Sequence, residues 1–208
     1  MSETTPVATY VDAETRVLSA FNGVDYAYRS TGASDGTPLV TLQHFRGNLD
    51  NWDPALIDAL ARGRRVITFD NRGVGASSGT TPNTIAQMAL DAIDFIDALG
   101  VGAVDLLGFS IGSFLAQEIA LVRPSTVRKV VLASSAPQGA SGMHGWAPEV
   151  IGAVGKPETS AADYLGVFFT DSEASRAAGQ QVADPLGLDP PGELGVVFGV
   201  LLSRPEHR

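Results

Sequence analysis

The chain contains no cysteine. That excludes a disulfide framework, a thiolate nucleophile and a cysteine metal site, and it fits a cytoplasmic location. Lysine is nearly absent: Lys129 and Lys156 are the only two, and the other basic residues are arginines that form no run. The formal net charge is −9. A negative surface repels phosphate backbones and anionic lipid, so neither nucleic acid nor membrane is expected as a partner. Long apolar runs are missing as well. A stretch such as Val196 to Leu202 falls far short of the roughly 20 residues needed to span a bilayer. Met1 to Arg16 is polar and acidic and lacks the basic start and apolar core of a signal peptide. Histidine is scarce, with only His44, His144 and His207, and no internal repeat is evident.

What is present is one core's worth of apolar residues, 44% of 208, in alternating short runs. Asn22-Gly23 divides two runs, Glu14 to Phe21 and Val24 to Ser30, and predicts a hairpin. Leu39 to Leu42 reads as a strand. Asp53-Pro54 opens a helix with an acidic cap and a proline in the first turn, and Ala55, Leu56, Ala59 and Leu60 are its expected apolar face. Arg65 to Phe69 is the next strand. Thr84 with Gln87 predicts a capping box, followed by Ile85, Met88, Ala89, Ala92, Ile93, Ile96 and Leu99 at helical spacing up to Gly100. Val104 to Leu107 is a strand, Ile111 to Val122 a helix stopped by Pro124, and Val127 to Ala133 a strand. Strands alternating with helices predict a mostly parallel, twisted α/β sheet with helices on both faces. After Ala133 the alternation ends. Ala161 to Ala178 has helical character, and Gly179 to Arg208 has no pattern.

The chemistry concentrates at Gly108-Phe109-Ser110-Ile111-Gly112. The bare string is weak, but an apolar strand precedes it and an amphipathic helix follows. A serine on such a sharp turn projects its hydroxyl from the carboxyl edge of the sheet, in a strained backbone conformation. Side chains two residues to either side would collide, which is why glycine is needed at both positions. The helix behind the serine turns its free N–H groups and positive dipole end toward it, where developing negative charge is stabilised. The plainer reading is an ordinary β–α turn with a serine cap. A rival motif, Gly73-x-Gly75-x-x-x-Gly79, follows a strand as a dinucleotide loop does. Thr80 to Asn83 separates it from the next helix, so no helix N-terminus is expected at a pyrophosphate.

Three segments together resemble the α/β-hydrolase fold family of the serine hydrolase type. Gln43-His44-Phe45-Arg46-Gly47-Asn48 is similar to its oxyanion loop, Phe69-Asp70-Asn71-Arg72-Gly73-Val74-Gly75-Ala76-Ser77 to its F-D-x-R-G-x-G-x-S loop, and Gly108 to Gly112 to its nucleophile elbow. The resemblance implies that Ser110 is the catalytic nucleophile and that Phe45 and Ile111 donate the oxyanion amides. Gln43 then takes the place of the family's His and His44 that of its Gly, and Ser113 stands where a second glycine is frequent. Asp70 and Arg72 are expected to tie loops together. The reaction implied is acyl transfer to water on a small ester-like carbonyl substrate. Perhydrolase or carbon–carbon hydrolysis remain open, and branches with an aspartate nucleophile are disfavoured by Ser110. No cofactor or metal is implied.

The family's acid and His, by the same resemblance, follow the seventh and eighth strands. Here the sixth strand ends near Ala133. Asp163, Asp171, Asp184 and Asp189 are candidate acids, none after a clear strand; His144 lies in an expected cap and His207 at the terminus. The expected organisation is a hydrolase core over 1–137, a partial cap or lid over 138–178 and an atypical tail over 179–208. Met143 and Trp146, with Tyr164, Phe168 and Phe169, either wall a substrate pocket or pack an accessory helix pair. The unusual tail suggests a truncated chain or a reading frame shifted after about Ala177. The alternative function is therefore a non-catalytic fragment or ligand-binding remnant lacking the acid and His. A nucleotide-binding module is a third, disfavoured reading.

Overall fold

A computed structural model describes residues 9–44, 47–140, 147–154, 156 and 160–183. The chain divides into two units, Met1–Ser135 and Ala136–Arg208. In the first unit, β1 (Arg16–Ser19) and β2 (Asp25–Thr31) form the hairpin expected at Asn22-Gly23, with Ser19 opposite Asp25. Gly23 takes φ 76° in its turn, a conformation that costs glycine nothing. Strands β3 (Leu39–Leu42), β4 (Val66–Phe69), β5 (Val104–Phe109) and β6 (Val127–Ala133) complete a six-stranded sheet ordered β1-β2-β4-β3-β5-β6. The β4-β3-β5-β6 part is parallel and the hairpin joins antiparallel through β2. All four parallel strands therefore end at one edge, where Gln43, Asp70, Ser110 and Ser134 emerge.

Three helices cover the sheet: α1 (Pro54–Ala61), α2 (Ile85–Leu99) and α3 (Ile111–Val122). Asp53 caps α1 by accepting the Ala55 N–H at 2.8 Å, and Pro54 opens it. The buried face of α1 is Ile57 and Ala61, with Leu60 partly buried, not the expected set that includes Leu56, which is exposed. Two apolar stripes compete on this short helix. The sheet offers a hollow between Leu39, Val66 and Trp52, and the Ile57/Ala61 stripe fills it. Thr84 caps α2 by accepting the Gln87 N–H at 3.1 Å. The reciprocal half of the expected capping box is not made, because the Gln87 amide turns to Asp91 at 3.3 Å instead. Phe95 of α2 is fully buried and stacks on Phe69 at 4.2 Å, with Tyr26 at 5.5 Å. This aromatic cluster and the Ile57 cluster fill different layers, because alternate residues of β4 point to opposite faces.

Strand β6 departs from the pattern of its neighbours. Val130, Val131 and Leu132 are exposed, and among the described residues β6 pairs with β5 alone. In a parallel sheet such a run is normally covered on both faces.

In the second unit, the single helix expected over Ala161 to Ala178 is two: α5 (Ala161–Phe168) and α6 (Glu173–Ala183). A further helix, α4 (Pro148–Val154), lies in the stretch expected to be a partial cap or lid. Ser160 and Asp163 form a reciprocal capping box at the start of α5, and Ser172 accepts the Ser175 N–H to start α6. The cap at Ser172 divides the stretch in two. Gly179 of α6 lies against Leu165 and the Phe169 ring, so closely that a Cβ would fall 2.4 Å from Leu165 Cδ2. Phe169 thus packs within a helix pair. No described helix is long and apolar enough to cross a membrane, and no described strand follows β6.

Candidate active site

Ser110 stands between β5 and α3 with φ 53° and ψ −118°. Only it and Ser134 among the described non-glycine residues have positive φ. Such a conformation costs on the order of 1–3 kcal/mol and persists only where the surroundings hold it. Four contacts do so. The Ser110 N–H donates to the Ala133 carbonyl at 2.9 Å, which ties the turn to β6. The Ser110 carbonyl accepts both the Ser113 N–H at 2.8 Å and the Ser113 hydroxyl at 2.5 Å. The fourth is the close stacking of glycines: a Cβ on Gly108 would lie 2.3 Å from the Gly112 oxygen, and one on Gly112 would lie 2.0 Å from the Leu42 oxygen. Both glycines expected from the motif are thus needed by contact, and Gly112 keys α3 onto the end of β3.

The Ser110 side chain makes no capping bond. Ser110 is half-buried, and Ile111 behind it is 2% exposed. As the first residue of α3, Ile111 has an N–H with no intrahelical acceptor, at the positive end of the helix. Phe45, the other expected oxyanion donor, lies outside the described residues, as do Met143, Trp146, His144 and His207. His44 is buried, with its ring edge-on to Phe109 at 5.6 Å. Among the described residues it is the only histidine, and none of them hydrogen-bonds the Ser110 hydroxyl.

The neighbouring loop is built around Asp70. Its carboxylate accepts the Leu49 N–H at 2.7 Å and the Ala76 N–H at 2.9 Å, joining the loop after β3 to the loop after β4. Burial pushes its pKa up, opposed by these two backbone bonds. Gly75, at φ 55°, lies so near that a Cβ would be 2.2 Å from Asp70 Oδ2. Gly75 therefore lies against a carboxylate, which is the opposite of a phosphate cradle. Arg72 reaches Asp91 of α2 at 3.6 Å. Asp70 thus ties two loops together, whereas the Arg72 ion pair ties its loop to a helix. Asp163 is committed to Lys156 at 2.7 Å and to its cap, and Asp171 pairs with Arg176. No described group of His, Asp or Glu is arranged to hold a metal ion.

Two features were not foreseen. The Ser113 hydroxyl bonds the Ser110 carbonyl; the only signal was a serine where a second glycine is frequent. Gln43 folds its amide back onto the chain, with Oε1 accepting the His44 N–H at 2.9 Å, which no spacing rule reveals.

A family profile described as alpha/beta hydrolase fold matches residues 37–197. The chain belongs to that family. Among solved structures it is similar to an alpha/beta hydrolase fold protein from Chitinophaga pinensis, with a TM-score of 0.81 and 37% identity, over 96% of this chain and 76% of that one. Among curated proteins it is 38% identical over 120 residues to the proline iminopeptidase PfmaB of Pestalotiopsis fici, covering 56% of this chain and 42% of that protein. It is 32% identical over 122 residues to a non-heme chloroperoxidase of Streptomyces lividans, covering 58% of this chain and 44% of that protein. The chain thus spans less than half the length of the curated relatives it matches.

Proposed function

We propose that this chain carries the nucleophile of a serine hydrolase, and that the reaction is acyl transfer to water on a small ester-like substrate. The observation that carries the reading is the backbone of Ser110. A serine held at φ 53° between a parallel strand and a helix N-terminus, with glycine-only contacts on both sides, serves no packing purpose. In the proposed reaction, Ser110 Oγ adds to the carbonyl carbon and the carbonyl oxygen becomes an oxyanion. The Ile111 and Phe45 amides hold that charge. The bond to the leaving alcohol then breaks, and the alcohol takes up the proton that left Ser110. Water adds to the acyl-enzyme, the acid departs, and Ser110 regains a proton. The base that carries these protons is not among the described residues. The relatives named as an iminopeptidase and a chloroperoxidase leave the leaving group open.

A second reading is a ligand-binding remnant without turnover. It is favoured by the lack of a base on the Ser110 hydroxyl among the described residues. Intact mass after treatment with a fluorophosphonate separates the two. The hydrolase reading expects one adduct on the parent chain and none on Ser110→Ala. A folded parent chain that stays unlabelled sinks it and leaves the remnant.

A further inference from the structure

We propose that Ser134 is a substrate-contact residue of the Ser110 site, its hydroxyl hydrogen-bonding an oxygen of the substrate next to the reacting carbon. The inference rests on the hydrolase reading and deepens it. Ser134 and Ser110 are the only two described non-glycine residues with positive φ, at 54° and 53°. They also leave the sheet side by side. Phe109 of β5 is in register with Ala133 of β6. The two serines are therefore the next residues of neighbouring parallel strands, and their backbones start about 5 Å apart. The Ser110 N–H donates to the Ala133 carbonyl at 2.9 Å, which joins the two turns directly.

The turn at Ser134 is pinned on both sides to the segment that carries Ser110. On one side is the bond from Ser110 to Ala133. On the other, the Gln117 side chain of α3 donates from Nε2 to the Ser135 hydroxyl at 3.0 Å. The same Nε2 lies 3.4 Å from the Ser113 carbonyl, one turn back along α3. Ser134 stands between these two pins, and its left-handed backbone is what lets the chain make both. Glycine adopts such a backbone freely, whereas it strains a serine.

Neither the turn nor the packing uses the side chain that brings this strain. Ser134 is exposed, and among the described residues nothing hydrogen-bonds its hydroxyl. A glycine would make the same turn with less strain. What serine adds is one hydroxyl, able both to donate and to accept, on a pinned turn at the carboxyl edge beside Ser110. An ester-like group bound at Ser110 brings its oxygens within reach of that hydroxyl.

The test is the concentration dependence of fluorophosphonate labelling, read by intact mass on the full chain. A fluorophosphonate carries an alkoxy oxygen on phosphorus, as an ester carries one on the carbonyl carbon. Ser134→Ala removes the hydroxyl and keeps the strained Cβ; Ser134→Gly removes both. In each variant the half-saturating probe concentration should rise by roughly 3- to 10-fold, the value of one hydrogen bond, with the limiting labelling rate near that of the parent. Ser134→Gly should melt no lower than the parent, because glycine relieves the strain. Unchanged half-saturation in both variants overturns the proposal. A change in Ser134→Gly alone, or a slower limiting rate at unchanged half-saturation, traces the effect to the backbone and overturns it as well. If Ser134→Ala does not fold, the split between half-saturation and limiting rate in Ser134→Gly decides. A parent chain that never labels overturns the hydrolase reading and this contact with it, whereas a labelling parent with parent-like variants overturns the contact alone.

Discussion

Replacing Gly112 by alanine tests the joint between the serine turn and the sheet. The added Cβ would lie 2.0 Å from the Leu42 oxygen and 2.5 Å from its carbonyl carbon, against a floor of 3.0 Å for such contacts. Relief requires a movement of about 1 Å. Neither partner is a flexible side chain. Leu42 ends a strand paired on both sides, and Gly112 lies in the first turn of a helix whose next residues are buried. Overpacking of this kind costs about 1–3 kcal/mol, and backbone against backbone belongs at the upper end. At roughly 2–4 °C per kcal/mol for a chain of this size, the thermal midpoint should fall by about 6–12 °C. Any chain that still folds must have displaced α3, and with it the Ile111 amide. Labelling of Ser110 should then slow by about 100-fold. Gly63→Ala is the control, because nothing lies within 4 Å of a Cβ there and its φ is not positive. It should leave the midpoint unchanged or raise it slightly. A Gly112→Ala chain that melts and labels like the parent would refute the close-approach argument.

Three other outcomes follow from the same structure. Asp105, with a side chain only 4% exposed, is held down to about 2 chiefly by hydrogen bonds from Arg128, against its burial, with Arg64 adding to the effect. A folded-state pKa below the unfolded one stabilises above the unfolded value and is lost as pH falls through the folded one. Chemical denaturation should therefore show stability declining between about pH 4 and pH 2, by no more than about 2 kcal/mol because Arg128 is half in water. Asp105→Asn should flatten that acid limb, and an unaltered limb would show the pair to be inert. Thr84→Ala removes the cap on the Gln87 N–H and should cost about 1 kcal/mol in urea titration; no change would mean that water replaces the hydroxyl. Val131→Lys places a charge on the exposed edge strand β6 and should reduce concentration-dependent association in light scattering without lowering the midpoint. Unchanged scattering would remove β6 as the sticky edge.

The order of strands and helices from Leu39 to Ala133 was legible because each element carries a local signal. β-branched and apolar runs mark the strands, and Asp53-Pro54, Thr84 and Gly100 mark the helix ends. The serine turn was legible because Gly108 is dictated by contacts only four or five residues away, with Gly112 and Ser113, and because the motif sits between a strand and a helix. Which stripe of α1 faces inward was not legible. Leu56 and Ile57 are equally apolar, and the hollow beside Trp52 selected Ile57. The reciprocal half of the Thr84 cap failed for a similar reason, since Asp91 arrived as a competitor for the Gln87 amide.

Local chemistry in the sequence, then, determined the α/β alternation, the hairpin at Asn22-Gly23 and the strained serine. Long-range contacts decided the rest. The sheet order brought the ends of β3, β4, β5 and β6 to one edge. Asp70 reached across 21 residues to the Leu49 amide. Gly112 was pressed onto Leu42, and Gln43 was left with one amide atom bonded and the other alone. Those are distances between segments far apart in the chain, and spacing along a sequence does not encode them.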